Sequence, residues 1–366
     1  MKLIKIIDRY IISELLLPLL SGILAFSFIL AGSTILPGLV SDAIKYQIPL
    51  TDFLVLIALK IPWIFSLSMP MATLFATITV FGRLGNDLEI IALRANGVSV
   101  LRLIFPTIFT GLCISLLAFS FTENIVPQAA KTAQTIFLNY RNQNKPIIQK
   151  NINISEYDAQ KNPKRIINIG QFRSNKLENI TISEFDNGQL SRLIRSKHGQ
   201  WLSAGAWQFD SGIMHSFSAI DPKKITIVEF DKEIINLDIT PKNIHDRKKG
   251  IEEMNRKELL EKIEFQKRSG EDPIKFIMDY HLKVSIAFSC LIYSILGASM
   301  GLQPHRSSSA LGLGLSLVVI FIYVVLMSVG MGLGLSKALP PLIAAWFPNI
   351  IVGFFSLVLL SKRARQ

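Results

Sequence analysis

The feature that most constrains this chain is a set of six long apolar runs, three before and three after a polar middle region. Each run approaches or exceeds the roughly 20 residues that a helix needs to cross a bilayer. The runs are Ile11–Leu36, Phe53–Phe81, Val98–Phe121, Lys283–Leu302, Ala310–Leu333 and Leu339–Leu360. Half of the residues are hydrophobic and only 18% are charged, so the chain is too apolar for one soluble domain. A membrane protein with three plus three transmembrane helices is predicted.

The region between the third and fourth runs, residues 122–275, has a different pattern. Short alternations of apolar and polar residues predict β-strands, and the sequences Asp186-Asn187-Gly188 and Asp210-Ser211-Gly212 predict turns between them. The predicted strands are Arg165–Phe172, Leu177–Phe185, Leu190–Ile194, Gln200–Leu202, Ala206–Phe209, Ile225–Phe230 and Ile234–Ile239. So many short strands favour a small sandwich or β-jelly roll. An open jelly roll would hold a lipid tail, and the alternative is a simple interaction domain.

Two helices are predicted beside these strands. Pro127–Tyr140 would continue the third apolar run as a helix. Residues 255–268 would form the second helix, because Asn255 and Glu258 match a capping box and Gly270 follows the end. The expected domains are residues 1–121 with transmembrane helices 1–3, 122–275 with the β domain, and 276–366 with transmembrane helices 4–6.

The orientation follows from basic residues in short loops, which favour the cytoplasmic side. With the N-terminus inside, the short outer loops hold only Lys45 and Lys337. The cytoplasmic pieces hold Lys2, Lys5, Arg9, Arg83, Arg94, Arg102, Arg306, Lys362, Arg363 and Arg365. Both termini are therefore expected in the cytoplasm of a bacterium and residues 122–275 in the periplasm. Ile11–Leu36 is too long for a typical signal-peptide core, so an uncleaved first span is expected.

Several function classes find no support in the sequence. The middle region carries 25 of the 39 basic residues but also 20 of the 27 acidic ones, so no nucleic-acid surface is predicted. The chain contains no phosphate-binding P-loop and no metal-ligand or nucleophile motif. Cys113 and Cys290 lie in apolar runs and are expected to be buried thiols. We expect no enzyme activity, no metal and no cofactor of its own.

A charged island, Gly82–Arg102, interrupts the apolar runs on the cytoplasmic side, and we call it the elbow. Its charges require a surface position. Asn86 or Asp87 is predicted to cap a short helix that ends at Gly97, with Ile90, Ile91 and Leu93 on an apolar side. The elbow is either a solvated connector or an element on which another protein pushes.

Small and basic residues within the apolar runs allow two interpretations each. Gly297 with Gly301, and Ser308 with Gly312 and Ser316, recur at four-residue spacing. Such spacing lets helix backbones approach closely, either within this chain or with a second one. Lys60 would either extend towards the outer interface along its methylene stem or contact an anionic lipid head group.

Longer motifs resemble a known family, the LptF/LptG-type permeases of the lipopolysaccharide export ABC transporter. Glu89 to Ser99 matches the pattern E-x-x-A-L-R-A-x-G-V-S, and Asp272-Pro273 precedes the fourth run. The C-terminal part carries the run from Leu311 to Leu315, LGLGL, and the run from Leu339 to Asn349, LPPLIAAWFPN. The likeness, together with the three-plus-three topology, covers essentially the whole chain.

The resemblance implies partners and a mechanism. It implies a dimeric cytoplasmic ATPase that binds ATP, a second homologous permease, and a periplasmic jelly-roll bridge or LptC-like protein, all acting on lipopolysaccharide. The elbow, at about residues 85–98, would be the coupling helix that contacts the ATPase. Its expected contact residues are Arg83, Asp87, Glu89, Arg94 and Gly97.

The resemblance also places lipid entry between the first and fifth spans of facing subunits. The expected cavity residues are Phe26, Ile29, Lys45, Lys60 and Phe321. This chain departs from the family in having no basic residue within Ile11–Leu36, which leaves Lys45 and Lys60 as candidate contacts for lipid phosphates. The alternative function is a mechanotransmission subunit, which moves a periplasmic domain without passing lipid. Such subunits more often have four spans.

Overall fold

A computed structural model of the chain describes residues 6–143, 149–157, 163–173, 176–186, 188–203, 206–217, 225–237, 251–268, 270–302 and 309–365. Within these residues, six helical segments are long and apolar enough to cross a membrane. They are span one, Ile6–Tyr46; span two, Leu50–Asn86; span three, Val100–Tyr140; span four, Ile274–Gly301; span five, Gly312–Leu335; and span six, Pro341–Arg365. The predicted α-helical membrane fold with an inserted β domain is confirmed.

Several spans extend beyond their apolar runs. Span one consists of α1, a π-helical turn at Ala31–Ile35 and α2, and span three contains a second π-helical turn at Phe121–Ile125. Pro62 and Pro70 lie inside span two, which continues through both. The helices are α1 (Ile6–Leu30), α2 (Leu36–Tyr46), α3 (Leu50–Asn86), α4 (Glu89–Ala95), α5 (Val100–Ser120), α6 (Val126–Gln143), α7 (Arg256–Arg268), α8 (Ile274–Gly301), α9 (Ser309–Leu335) and α10 (Pro341–Arg365).

Clustering of the backbone separates the chain into two compact units. One consists of Met1–Ile136, Ile251–Leu259 and Ile274–Gln366, and the other of Phe137–Gly250 and Leu260–Pro273. In the first unit, span two packs against spans one and four, and span four also packs against spans three and six. Phe81, Ile104 and Tyr293 are among the largest buried side chains there. Spans two and four therefore form the centre of this first unit, which we call the membrane unit.

Small residues bring spans four and five close to span two. A Cβ atom at Gly301 would lie 2.7 Å from Phe81 Cβ, and one at Gly297 would overlap the Thr77 hydroxyl. A Cβ at Gly312 of span five would lie 3.3 Å from Thr79 Oγ1, also on span two. Ser316 is fully buried, whereas Ser308 lies outside the described residues. In this structure the G-x-x-x-G pair faces a helix of the same chain.

The second unit contains one antiparallel sheet whose six described strands neighbour each other in chain order. The strands are β1 (Gln149–Tyr157), β2 (Pro163–Arg173), β3 (Lys176–Asp186), β4 (Gln189–Ser203), β5 (Ala206–Phe217) and β6 (Ile225–Asn236). One face carries a buried apolar cluster that includes Ile167, Phe172, Trp207 and Phe209. The sheet thus has one strongly apolar face, which the alternating pattern predicted.

Some strand boundaries differ from the prediction. The two predicted segments in residues 190–202 form a single strand, β4, and the predicted segments from residue 225 onward merge into β6, which ends at Asn236; residues 238 and 239 lie outside the described residues. The predicted turn at Asp210-Ser211-Gly212 is wrong, because these residues lie inside β5. Gly212 is needed there for a different reason, since a Cβ atom would overlap the ring of Phe230 on β6. Pairing with both neighbouring strands therefore outweighs the local turn signal.

Helix α7 follows the local rules closely. The Asn255 amide donates to the Glu258 carboxylate at 3.1 Å, and the Glu258 amide donates to Asn255 Oδ1 at 2.8 Å. These two bonds are the reciprocal pair of a capping box. Gly270 adopts a φ of +65° just beyond the helix end. The predicted helix 255–268 is confirmed.

Candidate functional site

The turn between span two and the short helix of the elbow is tighter than the sequence indicated. Span two runs on to Asn86, and Asp87 caps its C-terminal end. Leu88 then takes a left-handed conformation, with φ of +59°, and starts the seven-residue helix α4. The predicted N-cap at Asn86 or Asp87 is wrong, because the end of span two occupies those residues.

The other end of α4 matches the prediction. The Gly97 amide donates to the Arg94 carbonyl at 2.9 Å, and the Val98 amide donates to the Leu93 carbonyl at 3.1 Å. With Gly97 at φ of +81°, this is a Schellman motif, which needs a residue that tolerates left-handed geometry. Ser99 then caps span three by accepting from the Arg102 amide. Both ends of α4 are therefore defined by tight turns.

The apolar residues of α4 divide between two faces. Ile90 is only 7% exposed and Leu93 packs against the membrane core, whereas Ile91 is 55% exposed. Leu88, Ala92 and Ala95 are exposed together with Ile91. The prediction of one apolar side holding Ile90, Ile91 and Leu93 is wrong, because Ile91 lies 100° around the helix from Ile90. Ile91 instead belongs to an outward face of small and apolar residues.

Three polar contacts join the elbow to the beginning of span one. The Tyr10 hydroxyl donates a hydrogen bond to Glu89 Oε2 at 2.8 Å. Arg83 forms an ion pair with Glu14. The sequence pattern predicted neither pairing, since the partners lie 69 or more positions apart.

The third contact is the most buried. The Arg102 guanidinium meets the Asp8 carboxylate with Nη1–Oδ1 and Nη2–Oδ2 distances of 2.7 Å. The Asp8 side chain is only 8% exposed. The Arg102 side chain is more exposed than Asp8, so removing Arg102 would leave the buried Asp8 carboxylate without this cation. Asp8 and Arg102 therefore fix the two helices to each other.

Charges on α4 lie on opposite flanks of its outward face. Glu89, in the first turn, faces Tyr10 of span one. Arg94 lines a cavity with Arg363 of span six. The exposed residues Leu88, Ile91 and Ala95 lie between these flanks. Of the predicted coupling residues, Arg83 and Glu89 thus have partners on span one, Asp87 and Gly97 occupy the turns, and Arg94 faces span six.

The predicted lipid-contact residues differ in their exposure and local contacts. Phe26 is 5% exposed and packs edge-to-face on Phe75 of span two, whereas Phe321 is 70% exposed. Ile29 is also exposed. Lys45 lies over the Tyr46 ring, with Nζ 5.4 Å from its centroid.

Lys60 has a protein partner in this structure. Its ammonium group lies 3.1 Å from Glu252 Oε2, in the segment that precedes α7. Two residues that closely follow Glu252 in sequence also make polar contacts. The Met254 carbonyl accepts a hydrogen bond from Lys283 of span four, and the Arg256 amide donates to the Glu123 carboxylate. Lys60 therefore belongs to a polar contact region within the membrane unit.

Sequence reasoning also missed a buried hydrogen-bond group among spans four, five and six. Asn349 Nδ2 donates to the Ser285 carbonyl at 2.7 Å, and the Tyr323 hydroxyl donates to Asn349 Oδ1 at 3.0 Å. Ser285 Oγ donates to the Ala345 carbonyl at 2.7 Å. All these groups are buried in the membrane unit. The available signal was Asn349 itself, a polar residue inside an apolar run.

Comparison with known proteins decides the family. A family profile described as lipopolysaccharide export system permease LptF/LptG matches residues 9–362, nearly the whole chain. The chain belongs to the LptF/LptG family. It is therefore a member of a permease family, with six helices long and apolar enough to cross a membrane among the described residues.

A second comparison found a similar stretch in an uncharacterized protein of Rickettsia prowazekii. The two sequences are 29% identical over 80 residues. The match spans 22% of this permease and 22% of the relative, about a fifth of each chain. It shows a local likeness only.

Proposed function

We propose that this permease is the membrane subunit of an ABC transporter that extracts lipopolysaccharide from the inner membrane and passes it to a periplasmic bridge. A second homologous permease and a cytoplasmic ATPase dimer complete the transporter, and the ATPase binds the ATP. The observation that carries the proposal is the family match over residues 9–362. The elbow geometry supports it, because a short helix with an exposed apolar face suits docking in a groove of another protein.

The proposed orientation places the elbow and both termini in the cytoplasm and the β-sheet in the periplasm. Basic residues support this assignment, since Arg83, Arg94 and Arg102 lie at the elbow and Lys362 and Arg363 lie at the end of span six. In this arrangement the ATPase meets the outward face of α4. The apolar face of the sheet, in the periplasm, would receive acyl chains.

Lipid entry is proposed along the exposed faces of spans one and five. Span one exposes Leu24, Phe28 and Ile29, and span five exposes Val318 and Phe321. The family likeness supports this pathway.

A photo-crosslinking amino acid at Phe321 tests lipid entry. Phe109 of span three is the matched control, because it is also a phenylalanine and is about half exposed. We expect crosslinks to lipopolysaccharide from position 321 and only to bulk phospholipid from position 109. Phospholipid alone at both positions would favour the mechanotransmission alternative, in which no lipid passes along the spans.

A further inference from the structure

A cavity of about 190 Å³ lies where the elbow meets the ends of spans two, four and six. Its walls are apolar residues of α4, Val100 of span three and Leu302 after span four, with Gly85 at the end of span two. Arg94 and Arg363 also line it. It is large enough for a phosphate group and part of its ester.

The two arginines reach this cavity from different elements. Arg94 is on the flank of α4, and Arg363 is in the last turn of span six, 269 positions later. Among the described residues that line the cavity, none is acidic. A basic residue in the last turn of a helix is common, since it complements the helix dipole. Arg94 is likewise in the last turn of α4, so the dipole effect applies to both arginines, but it does not explain why residues of two different helices line one cavity.

We propose that this cavity binds the phosphate head group of an anionic phospholipid. Guanidinium groups match phosphate oxygens in charge and geometry. The cavity is at the ends of the spans, the depth at which head groups lie, and basic pockets between transmembrane helices bind anionic lipids on the cytoplasmic side. Towards the middle of span six, Phe355 is exposed and lies about 80° around the helix from Arg363, so it offers an apolar surface for an acyl chain.

The cavity adjoins the surface proposed for the ATPase and extends away from it. Ile91 belongs both to the outward face of α4, with Leu88 and Ala95, and to the cavity lining. The cavity continues past the buried Ile90 to Leu302 after span four and Arg363 of span six, a position between helices that suits a lipid. The head group of a lipid bound there would lie between the elbow and span six. The assignment to the cytoplasmic leaflet rests on the proposed orientation, whereas lipid binding itself does not.

The test uses the full chain, purified with the subunits that accompany it, in a neutral detergent. Binding of fluorescent phosphatidylglycerol and phosphatidylcholine is titrated to the wild type and to the double variant Arg94→Gln/Arg363→Gln. We expect the wild type to prefer phosphatidylglycerol and the double variant to bind it about tenfold or more weakly. Phosphatidylcholine binding should be unchanged.

The matched control is Lys362→Gln/Arg365→Gln, which removes two charges from the same helix end outside the cavity. It should change phosphatidylglycerol affinity by less than about twofold, since it leaves both lining arginines in place. An equal loss in both double variants would overturn the proposal, because general surface charge would then explain the binding. Displacement of the lipid by millimolar glycerol phosphate would also overturn it, in favour of a soluble anion.

The same variants separate this proposal from the transporter assignment. Lipid binding is measured without ATP or lipopolysaccharide, so it does not depend on transport. If Arg94→Gln/Arg363→Gln loses the ATPase but keeps wild-type phosphatidylglycerol affinity, the cavity takes an acidic protein segment and the lipid proposal fails. If the family transport role fails while the lipid preference persists, the cavity assignment stands.

Discussion

The Glu89 carboxylate has two possible roles in the elbow. One carboxylate oxygen accepts a hydrogen bond from Tyr10, yet an ionised carboxylate has about four acceptor sites. In the proposed transporter, the same side chain would hold the elbow against span one and accept a hydrogen bond from an arginine of the ATPase. The two roles make different demands, because the first needs only the bond to Tyr10 and the second needs the negative charge.

The first prediction separates these roles. Glu89→Ala should weaken co-purification of the ATPase about tenfold, because hydrogen bonds between charged groups contribute roughly 1.5–3 kcal/mol. Tyr10→Phe keeps the Glu89 charge and removes only the hydrogen bond, so it should retain most of the ATPase. The measurement is the ATPase-to-permease ratio after affinity purification of each variant.

Two other results would contradict a direct contact between Glu89 and the ATPase. If Tyr10→Phe and Glu89→Ala reduce the ratio equally, the carboxylate acts by positioning the elbow. If neither reduces it, Glu89 is not part of the ATPase contact, and the exposed face around Ile91 must supply the binding.

Local sequence rules predicted some of these residues and missed others. Gly97 and the Asn255–Glu258 pair were predictable, because a helix end needs a left-handed residue or a capping partner close in sequence. Tyr10 and Asp8 were not, because their partners are distant in sequence and no periodicity links them. The pairing appears only when span one packs beside the elbow.

At the scale of helices and strands, continuous pairing and packing decide where an element ends. Span two continues through two prolines and through the residues expected to begin the elbow helix. Likewise, β5 continues through a predicted turn. Composition predicted which elements exist, whereas long-range contacts determined their boundaries.

The second prediction concerns the glycines of span four. Gly301→Leu should destabilise the permease by roughly 1–3 kcal/mol, because the added side chain collides with Phe81 and the backbone at Gly82. We expect a lower Tm in detergent and a smaller yield of folded protein, measured by fluorescence-detected size-exclusion chromatography.

Gly314 of span five provides a matched control. A Cβ atom there has no neighbour within 4 Å among the described residues, so Gly314→Leu should leave Tm nearly unchanged. Equal losses for the two variants would mean that helix propensity or insertion, and not contact between spans two and four, accounts for the effect.

At the scale of the whole molecule, hydropathy predicted the fold class with little ambiguity. Only helices and closed barrels satisfy all backbone hydrogen bonds in lipid, so six apolar runs imply six helices. The polar middle region showed its strands by alternation. The buried hydrogen bonds around Asn349 were not predictable, because they form only where residues of spans four, five and six meet at the same depth.

The third prediction tests orientation across the membrane. In a variant without Cys113 and Cys290, single cysteines replace Lys197 of the sheet and Asn96 of the elbow, both exposed in the structure. A membrane-impermeant maleimide on intact cells should label position 197 and not position 96. After the inner membrane is permeabilised, both should react.

The reverse pattern would overturn the proposed orientation. Position 197 is a better probe than the neighbouring Ser196, whose hydroxyl is buried and donates to the Asp210 carbonyl. An absence of labelling at Ser196 would therefore reflect burial and would reveal nothing about the side of the membrane.

The contacts between span one and the elbow have a mechanical consequence. Asp8 and Glu14, with Tyr10 between them, are six positions apart, about 9 Å along the helix axis at 1.5 Å per residue. At 100° per residue, Tyr10 and Glu14 lie on the side of the helix roughly opposite Asp8. The elbow therefore contacts span one on two opposite sides. Contacts on opposite sides of the helix would let a rotation of the elbow turn span one about its helix axis with little sideways displacement, which a single contact would not achieve.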